Sequence, residues 1–499
     1  MKLIKQLDII LLLLWCILSF NFIENINSGP ISSSLPLSCL SSIEGPVIYR
    51  NDTLFPSLII DQNIRVNYTP TVLVYAIDDK DVQKAVKCAV KLGRDIVPRS
   101  GGHSYEKYGL GGRNNVIVLD LTFVNGITIN SETETAKIGA GNRLGNVYNQ
   151  LNQAGFLIPA GLCPSVGIGG HALGGGFGYY SRKYGLACDN IISMEMVNAT
   201  GDILHVDSNT ISDLYFALRG AGGGSYGIVT YFVFRIHRTP PQVTYMEMAF
   251  NKANMNQVYQ VFDAFNKIGP SLDDRIALKM RMNKSSLSIN GLYLGPCTEA
   301  RNAMKGFIDA SNPIPTSKKF IPQTFFESVE TLSKIPNKYD VVNPKHNPNF
   351  FKAKSFVVNK GKGLTRQAIK VLNEFLTKDT SCKTLASFDL FGGAANVKDS
   401  SSSFIHRDAL YCIQMESDWE TKEQNTECTS EINKFGRTFQ LFINSNESYQ
   451  DFIDRDLDHW QKKYYGEKNF EKLVNIKKKY DPDNLFNFPQ SIPVKIRKF

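Results

Sequence analysis

Beyond its first twenty residues the chain has no apolar run long enough to cross a bilayer core, which takes about 20 helical residues. It has no Cys-x-x-Cys pair and no His/Cys spacing of zinc type, so no structural metal is expected. Low-complexity tracts and internal repeats are also lacking. These absences exclude a helical membrane protein beyond the N-terminus, a zinc module and a repeat array. The formal charge is +9, but no aromatic-and-basic stripe accompanies it, so nucleic acid is not an expected partner. The one basic cluster, Lys477, Lys478 and Lys479, reads as a solvated helix face.

What is present is a folded globular composition, 42% hydrophobic and 21% charged, over 499 residues, enough for two or three domains. Lys2 and Lys5 precede an apolar run from Ile9 to Phe20, which is too short to span a membrane. A basic start, a short apolar core and a polar stretch predict a signal peptide over residues 1–28 and a secreted protein. Its removal takes Cys16 and leaves eight of the nine cysteines, some of which can pair in an oxidising compartment. Sequons at Asn51, Asn67, Asn198, Asn283 and Asn446 agree with secretion.

From Thr71 to Arg235 strands and helices alternate. TVLVYAI reads as a strand, Asp78 or Asp79 then caps a helix, and Gly93 closes it before the strand DIVP. A helix from Arg143 to Ala154 follows two more strands, and ISMEMVNATGDILHV reads as a hairpin. Character changes at Thr239-Pro240-Pro241. Beyond it, long helices and strands no longer alternate strictly, which suggests an antiparallel sheet with helices on one face.

Two glycine loops carry most of the chemical information. The first is Arg99-Ser100-Gly101-Gly102-His103-Ser104, directly after a strand. The second runs from Cys163 through Val166, Gly167, Gly169, Gly170 and His171 to Gly174, Gly175, Gly176 and Gly178. Glycine lets the backbone approach a ligand closely and aim several N–H groups at one spot, a geometry that suits a pyrophosphate. A Rossmann site fits less well. GAGNRL lacks the third glycine, and Gly222, Gly224 and Gly227 lead into a strand where a helix is required. A loop histidine such as His103 is either a hydrogen-bonding group or a nucleophile toward an electrophilic cofactor. Cys163 is open to the same reading, or to that of a small buried hydrophobe or half of a disulfide.

RSGGHSYEKYG followed by CPSVGIGGHALGGGFG, with YGLACDNI, GGGSYGIVT and the C-terminal YYGEKNFEKLVNIKKKYDPDNLFNFPQSIP, resembles the berberine-bridge-enzyme-like FAD-linked oxidases. That group lies within the vanillyl-alcohol-oxidase, or PCMH-type, fold, and the resemblance covers nearly the whole mature chain. It implies an α+β fold: a PCMH-type FAD-binding domain of two α/β subdomains over 40–240, then a substrate domain over 241–446 with an antiparallel sheet covered by helices. A C-terminal segment, 447–499, returns to the FAD domain. FAD is implied to be bonded to His103 through its benzenoid methyl group and to Cys163 through the adjacent ring carbon. Further cofactor contacts are implied for Arg99, Ser100, Gly101, Gly102 and Ser104 in the first loop and for Val166, Gly167, Gly169, Gly170, His171 and Gly175 in the second. Gly227, Ile228, Val229 and Asn484 complete that set, and Cys39 and Cys88 sit where many members have a disulfide.

The resemblance also implies the reaction: hydride transfer from an alcohol, lactol or amine-bearing carbon to FAD, with dioxygen reoxidising it to give hydrogen peroxide. Val166 holds a position where valine admits oxygen and leucine obstructs it. Sugar-oxidising members carry a Y-x-x-Y whose second tyrosine is the favoured base, but here the stretch is Tyr449-Gln450-Asp451-Phe452. Phe452 has no hydroxyl, so Tyr449 or another residue serves as the base, the alignment slips, or the chemistry differs. Alkaloid-forming members have a glutamate near Gln414, and glutamine cannot serve as a base. Period-2 alternation puts Leu410, Cys412 and Gln414 on one face, with Gln414 binding substrate, and Tyr105 is placed at the pocket entrance. The expectation is a secreted oxidase of hydroxyl-bearing substrates, sugars ahead of phenolic alcohols or alkaloids. A flavin-bearing carbohydrate-binding protein without catalysis has only the missing hydroxyl at Phe452 in its favour.

Overall fold

The computed structural model describes residues 37–496 except 253 and 312–314, so the expected signal peptide lies outside the described residues. The strand Val72–Tyr75 leads into the helix Asp79–Leu92. The Asp78 side chain accepts the Asp81 N–H at its start, and Gly93 ends it with φ at 56°. Val82, Ala85, Val86 and Ala89 form its buried stripe. That strand belongs to a four-stranded sheet in the order Val47–Tyr49, Val72–Tyr75, Ile117–Asp120, Ile96–Arg99, with the last three parallel. A second sheet is antiparallel throughout, in the order Ile127–Asn130, Thr135–Gly139, Ile228–Arg235, Ile191–Val197, Ile203–Asp207.

The third sheet has seven antiparallel strands, ordered Ser317–Gln323, Val243–Phe250, Leu287–Tyr293, Ile276–Asn283, Lys383–Leu390, Ala409–Trp419, Phe350–Asn359. Alternation splits it into two chemically different faces. Met280, Met282, Phe388, Ile413 and Met415 pack beneath four helices, Met255–Lys267, Cys297–Ala310, Arg366–Thr377 and Asn425–Gln440. Lys279, Arg281, Ser387, Asp389, Cys412, Gln414, Glu416 and Asp418 turn the other way, into a cavity. This is the expected α+β arrangement, with a helix-covered antiparallel sheet.

Leu410 departs from its expected face. It packs in the apolar core, away from Cys412 and Gln414. The neighbouring strand pairs Val358 with Tyr411 and Asn359 with Ala409, so Leu410 is the extra residue of a bulge and the alternation resets there.

The C-terminal helix Glu467–Tyr480 corrects the reading of the lysine cluster. Lys477 is wholly buried, and its Nζ donates to the Ser225 carbonyl at 2.6 Å, to the Phe486 carbonyl at 2.9 Å and to the Asp481 carboxylate. A charge run on a helix need not face water when one member has a buried carboxylate four residues ahead. The tail then lies on the first sheet, where the Leu485 carbonyl accepts the Ile96 N–H and the Asn487 carbonyl accepts from Arg113.

A buried ionic cluster joins four separate stretches of the chain. Lys352 pairs with Glu106 at 2.5 Å and Asp454 at 2.6 Å, Lys354 pairs with Asp454 at 2.6 Å, and Arg65 pairs with Glu106 at 2.5 Å. Cys382 is bonded to Cys428 beside Trp419, and Cys39 and Cys88 are both in disulfides, as the pairing implied for them requires.

Candidate active site

The two glycine loops meet backbone to backbone. A Cβ on Gly101 would stand 2.1 Å from the Gly167 nitrogen, and one on Gly167 would stand 2.2 Å from the Gly101 nitrogen. No larger residue fits at either place. Arg143 locks the junction: its guanidinium donates to the Gly101 carbonyl and, at 2.8 Å, to the Ser165 carbonyl. Sequence reading placed Arg143 only at the start of a helix. It is in fact that helix's N-cap, which turns its side chain back across the loops.

Both loops line one cavity of about 590 Å³, roughed out on its other side by the polar face of the seven-stranded sheet. A Cβ at Gly170 would touch nothing within 4 Å and would project into open space, so the backbone there is bare to a ligand. Ser100, Gly101, Gly102, His103, Ser104, Val166, Gly167, Gly169, Gly170, His171, Gly227 and Val229 all line the cavity. Arg99 lines it too, but its guanidinium is held by Asp120, the Leu58 carbonyl and Tyr75, so it supports the loop and does not reach into the cavity. Three expected contacts are not among the lining residues. Ile228 points to the opposite face of its strand from Gly227 and Val229. Gly175 lies against Phe404 and Tyr449, and Asn484 sits in the turn after the last helix, its N–H bonded to the Asp481 carbonyl.

His103 stands with its Nε2 at 2.8 Å from the Ser165 hydroxyl and its ring 5.2 Å from that of His346. Burial, with the His346, Arg143 and His171 charges against it, pushes its pKa down to about 3, so the imidazole is neutral and nucleophilic at physiological pH. The Cys163 sulfur opens to the cavity, yet protein surrounds it, and that desolvation raises the thiol pKa; Lys279 and Arg281 across the cavity act in the opposite sense. His171 is also kept neutral by burial, its pKa down to about 4, and its Nε2 accepts the Gly161 N–H at 2.8 Å.

Tyr449 is buried in the cavity wall, but its hydroxyl is already committed. It donates to Asp451 Oδ2 at 2.7 Å and accepts the Gly176 N–H at 2.9 Å. Burial and the Asp451 charge hold its pKa well above the tyrosine range. Desolvation pushes Asp451 itself up to about 7. Phe452 stacks on Tyr105 with ring centroids 5.8 Å apart, and the Tyr105 hydroxyl accepts from Gln414 Nε2 at 2.9 Å. The same amide donates to Glu416 Oε2 at 3.1 Å, giving a Tyr105–Gln414–Glu416 chain.

Glu416 and Asp418 were missed in the sequence although the alternation that picked out Gln414 also places them on its face. They are hydrogen-bonded to each other, and burial raises both pKa values, with the Asp418 charge adding to the rise at Glu416. The pair therefore keeps a proton at a pH where ordinary carboxyls are ionised. Arg281 Nε faces the same space, buried and without a hydrogen-bond partner among the described residues.

Comparison with known proteins agrees with this geometry. An FAD-binding-domain family matches residues 70–207, and a "Berberine and berberine like" family matches residues 448–493. An uncharacterised FAD-linked oxidoreductase of Bacillus subtilis, YvdP, is 30% identical over 91% of this chain and 99% of its own. The chitooligosaccharide oxidase of Gibberella zeae is 27% identical over 97% of this chain and 99% of its own. Among solved structures, Physcomitrella patens BBE-like 1 superposes with a TM-score of 0.87 at 36% identity, covering 92% of this chain and 99% of that one. FAD is the cofactor, and the cavity fits it: bare glycine backbone at Gly170 suits a diphosphate, and His103 and Cys163 line the same space.

Proposed function

The chain belongs to the berberine-bridge-like FAD-linked oxidoreductases, and on that premise we propose that it oxidises a hydroxyl-bearing substrate, a sugar ahead of a phenolic alcohol or alkaloid, with FAD bonded to both His103 and Cys163. The observation that carries the substrate class is the sheet face opposite Cys163. Lys279, Arg281, Ser387, Asp389, Gln414 and Glu416 all line the cavity, and Arg281 Nε has no acceptor among the described residues. A substrate rich in hydroxyls offers partners to such a surface, whereas an apolar ring system leaves buried polar groups unpaired. Relatives named chitooligosaccharide oxidase and xylooligosaccharide oxidase support the same choice.

Bound FAD supplies a two-electron acceptor that takes hydride from carbon. The chain's own task is to bind the hydroxyl and remove its proton. Gln414 orients the hydroxyl through its carbonyl oxygen, because both amide protons are given to Tyr105 and Glu416. The Glu416–Asp418 pair accepts the proton at Glu416, in place of the hydroxyl that Phe452 lacks. Tyr449 holds Asp451 in the wall and takes no proton. Dioxygen is the electron acceptor, leaving as hydrogen peroxide, with Val166 at the cavity wall beside Cys163. The FAD-binding region spans 40–240, the substrate region 241–446 and the returning segment 447–499. The protein is a secreted glycoprotein in this reading, supported by exposed sequons at Asn51, Asn67 and Asn446.

An anaerobic panel of sugars, phenolic alcohols and amines, followed by loss of flavin absorbance, tests the substrate class. Rapid bleaching by an oligosaccharide is the expected result. Bleaching by an alkaloid amine alone overturns it.

A further inference from the structure

We infer that Ser165 is a positioning residue for flavin attachment: by accepting the Nε2 proton of His103 it fixes the imidazole tautomer that leaves Nδ1 free to bond the cofactor. The inference rests on the reading that His103 carries FAD. Its basis is a contact that FAD binding as such does not require. His103 Nε2 and Ser165 Oγ are 2.8 Å apart, between the two glycine loops. Among the described residues no hydrogen bond engages Nδ1, and His103 lines the cavity. The serine hydroxyl can donate or accept at Nε2; where it accepts, Nε2 carries the proton and the lone pair stands on Nδ1, which makes Nδ1 the nucleophile.

Two features make the arrangement specific. Arg143 holds the Gly101 and Ser165 carbonyls with one guanidinium nitrogen, which sets the separation of the two loops and hence of His103 from Ser165. Burial, with the charges of His346 and of this same cation, opposes protonation of His103, so the ring stays neutral and an accepting hydroxyl at Nε2 is what leaves Nδ1 bare. His346 does not compete for this proton: its own Nδ1 is buried without a hydrogen-bond partner among the described residues.

A bond forms between His103 Nδ1 and the carbon of the ring methyl group. One methyl C–H bond and the imidazole Nε2–H bond break. Two protons leave, the second through Ser165 Oγ, and two electrons pass by way of the ring to dioxygen, which departs as hydrogen peroxide. The product is the oxidised cofactor joined to a neutral imidazole.

Ser165→Ala and Ser165→Thr proteins, expressed and purified alongside wild type, test this by peptide mapping of flavin attachment. In Ser165→Ala the ratio of histidyl-linked to cysteinyl-linked flavin should fall by about tenfold or more, the scale of one lost hydrogen bond. FAD should stay bound through Cys163, and Ser165→Thr, which keeps the hydroxyl, should restore the double link. Full double attachment in Ser165→Ala overturns the inference. So does loss of flavin from both residues in that variant, because a merely structural role would weaken the two links alike. Wild-type protein without flavin on His103 or Cys163 instead removes the reading beneath it.

Discussion

Replacing Glu416 by glutamine separates chemistry from folding at the base. The change is nearly isosteric, and a carboxamide oxygen can still accept from Gln414 Nε2, which lies 3.1 Å from Oε2 of the carboxylate. What disappears is an oxygen able to take a proton. General-base catalysis contributes about 10²–10⁴-fold. Anaerobic stopped-flow reduction by substrate should therefore slow by at least about 100-fold, or about 2.7 kcal/mol of barrier, while half-saturation by substrate changes little. Wild-type reduction should rise with pH as the Glu416–Asp418 pair first ionises, above the ordinary carboxylate range, and the variant should lose that limb. Stability moves the other way. Burial raises the pKa of Glu416 in the folded state, so the contribution of its bound proton to stability is fully present below the unfolded value and is lost as pH rises through the folded one. Glutamine carries no such penalty. The variant should melt at a higher temperature than wild type at about pH 8 and converge with it near about pH 4. An unchanged rate of reduction refutes the assignment of the base. A variant less stable than wild type at about pH 8 refutes the electrostatic argument.

His103→Ala and Cys163→Ala should each leave one covalent link, so acid-precipitated protein stays yellow in both single variants and loses its colour only in the double variant. Val166→Leu should slow reoxidation of photoreduced enzyme by oxygen while reduction by substrate is nearly unchanged, since one added methylene fills space in a close-packed wall; equal effects on both half-reactions would count against oxygen access. Lys477→Met leaves the Asp481 carboxylate buried beside only the Leu485 and Phe486 N–H groups, and should cost roughly 3–5 kcal/mol in a denaturant melt. Adding Asp481→Asn should recover part of that loss, and a melt unchanged by Lys477→Met would show the pair to be of no net value.

The cofactor side of the cavity was legible because its chemistry is local in the chain. His103 and Cys163 lie within glycine loops whose backbone conformation is written in consecutive residues, and both loops reach the cavity as expected. The helix from Asp79 and the strand from Ile228 were legible for the same reason: caps, stripes and alternation are short-range. Arg143, His346 and Asp61 were not. Arg143 acts through backbone carbonyls of residues far along the chain. Asp61 meets Arg99 at 3.6 Å only after the loops close, and burial then lifts its pKa to about 6. Lys477 was misread because a charge run looks the same in sequence whether it meets water or one buried carboxylate.

The substrate side depends on strand register, which a single chain does not display. Cross-strand rows put Lys279 beside Asp389, then Arg281 beside Ser387 and Gln414, then Leu385 beside Glu416, so Lys279 and Arg281 meet cavity neighbours from a strand more than a hundred residues further along the chain. Within the strand Ala409–Trp419, positions 412, 414, 416 and 418 all face the cavity, at steps of about 6.8 Å per two residues. A proton acceptor can therefore move along this face in evolution without disturbing the core behind it, where Ile413 and Met415 pack. The resemblance implies a carboxylate near 414 in ring-closing members and a phenol near 452 in sugar-oxidising ones; this chain has glutamine and phenylalanine there, and a carboxylate at 416. The Gln414 amide touches both Tyr105 and Glu416, which keeps the new acceptor within one hydrogen bond of the old position. Loss of one family hydroxyl is thus weak evidence for loss of catalysis when a neighbouring position on the same face offers a group that can take the proton.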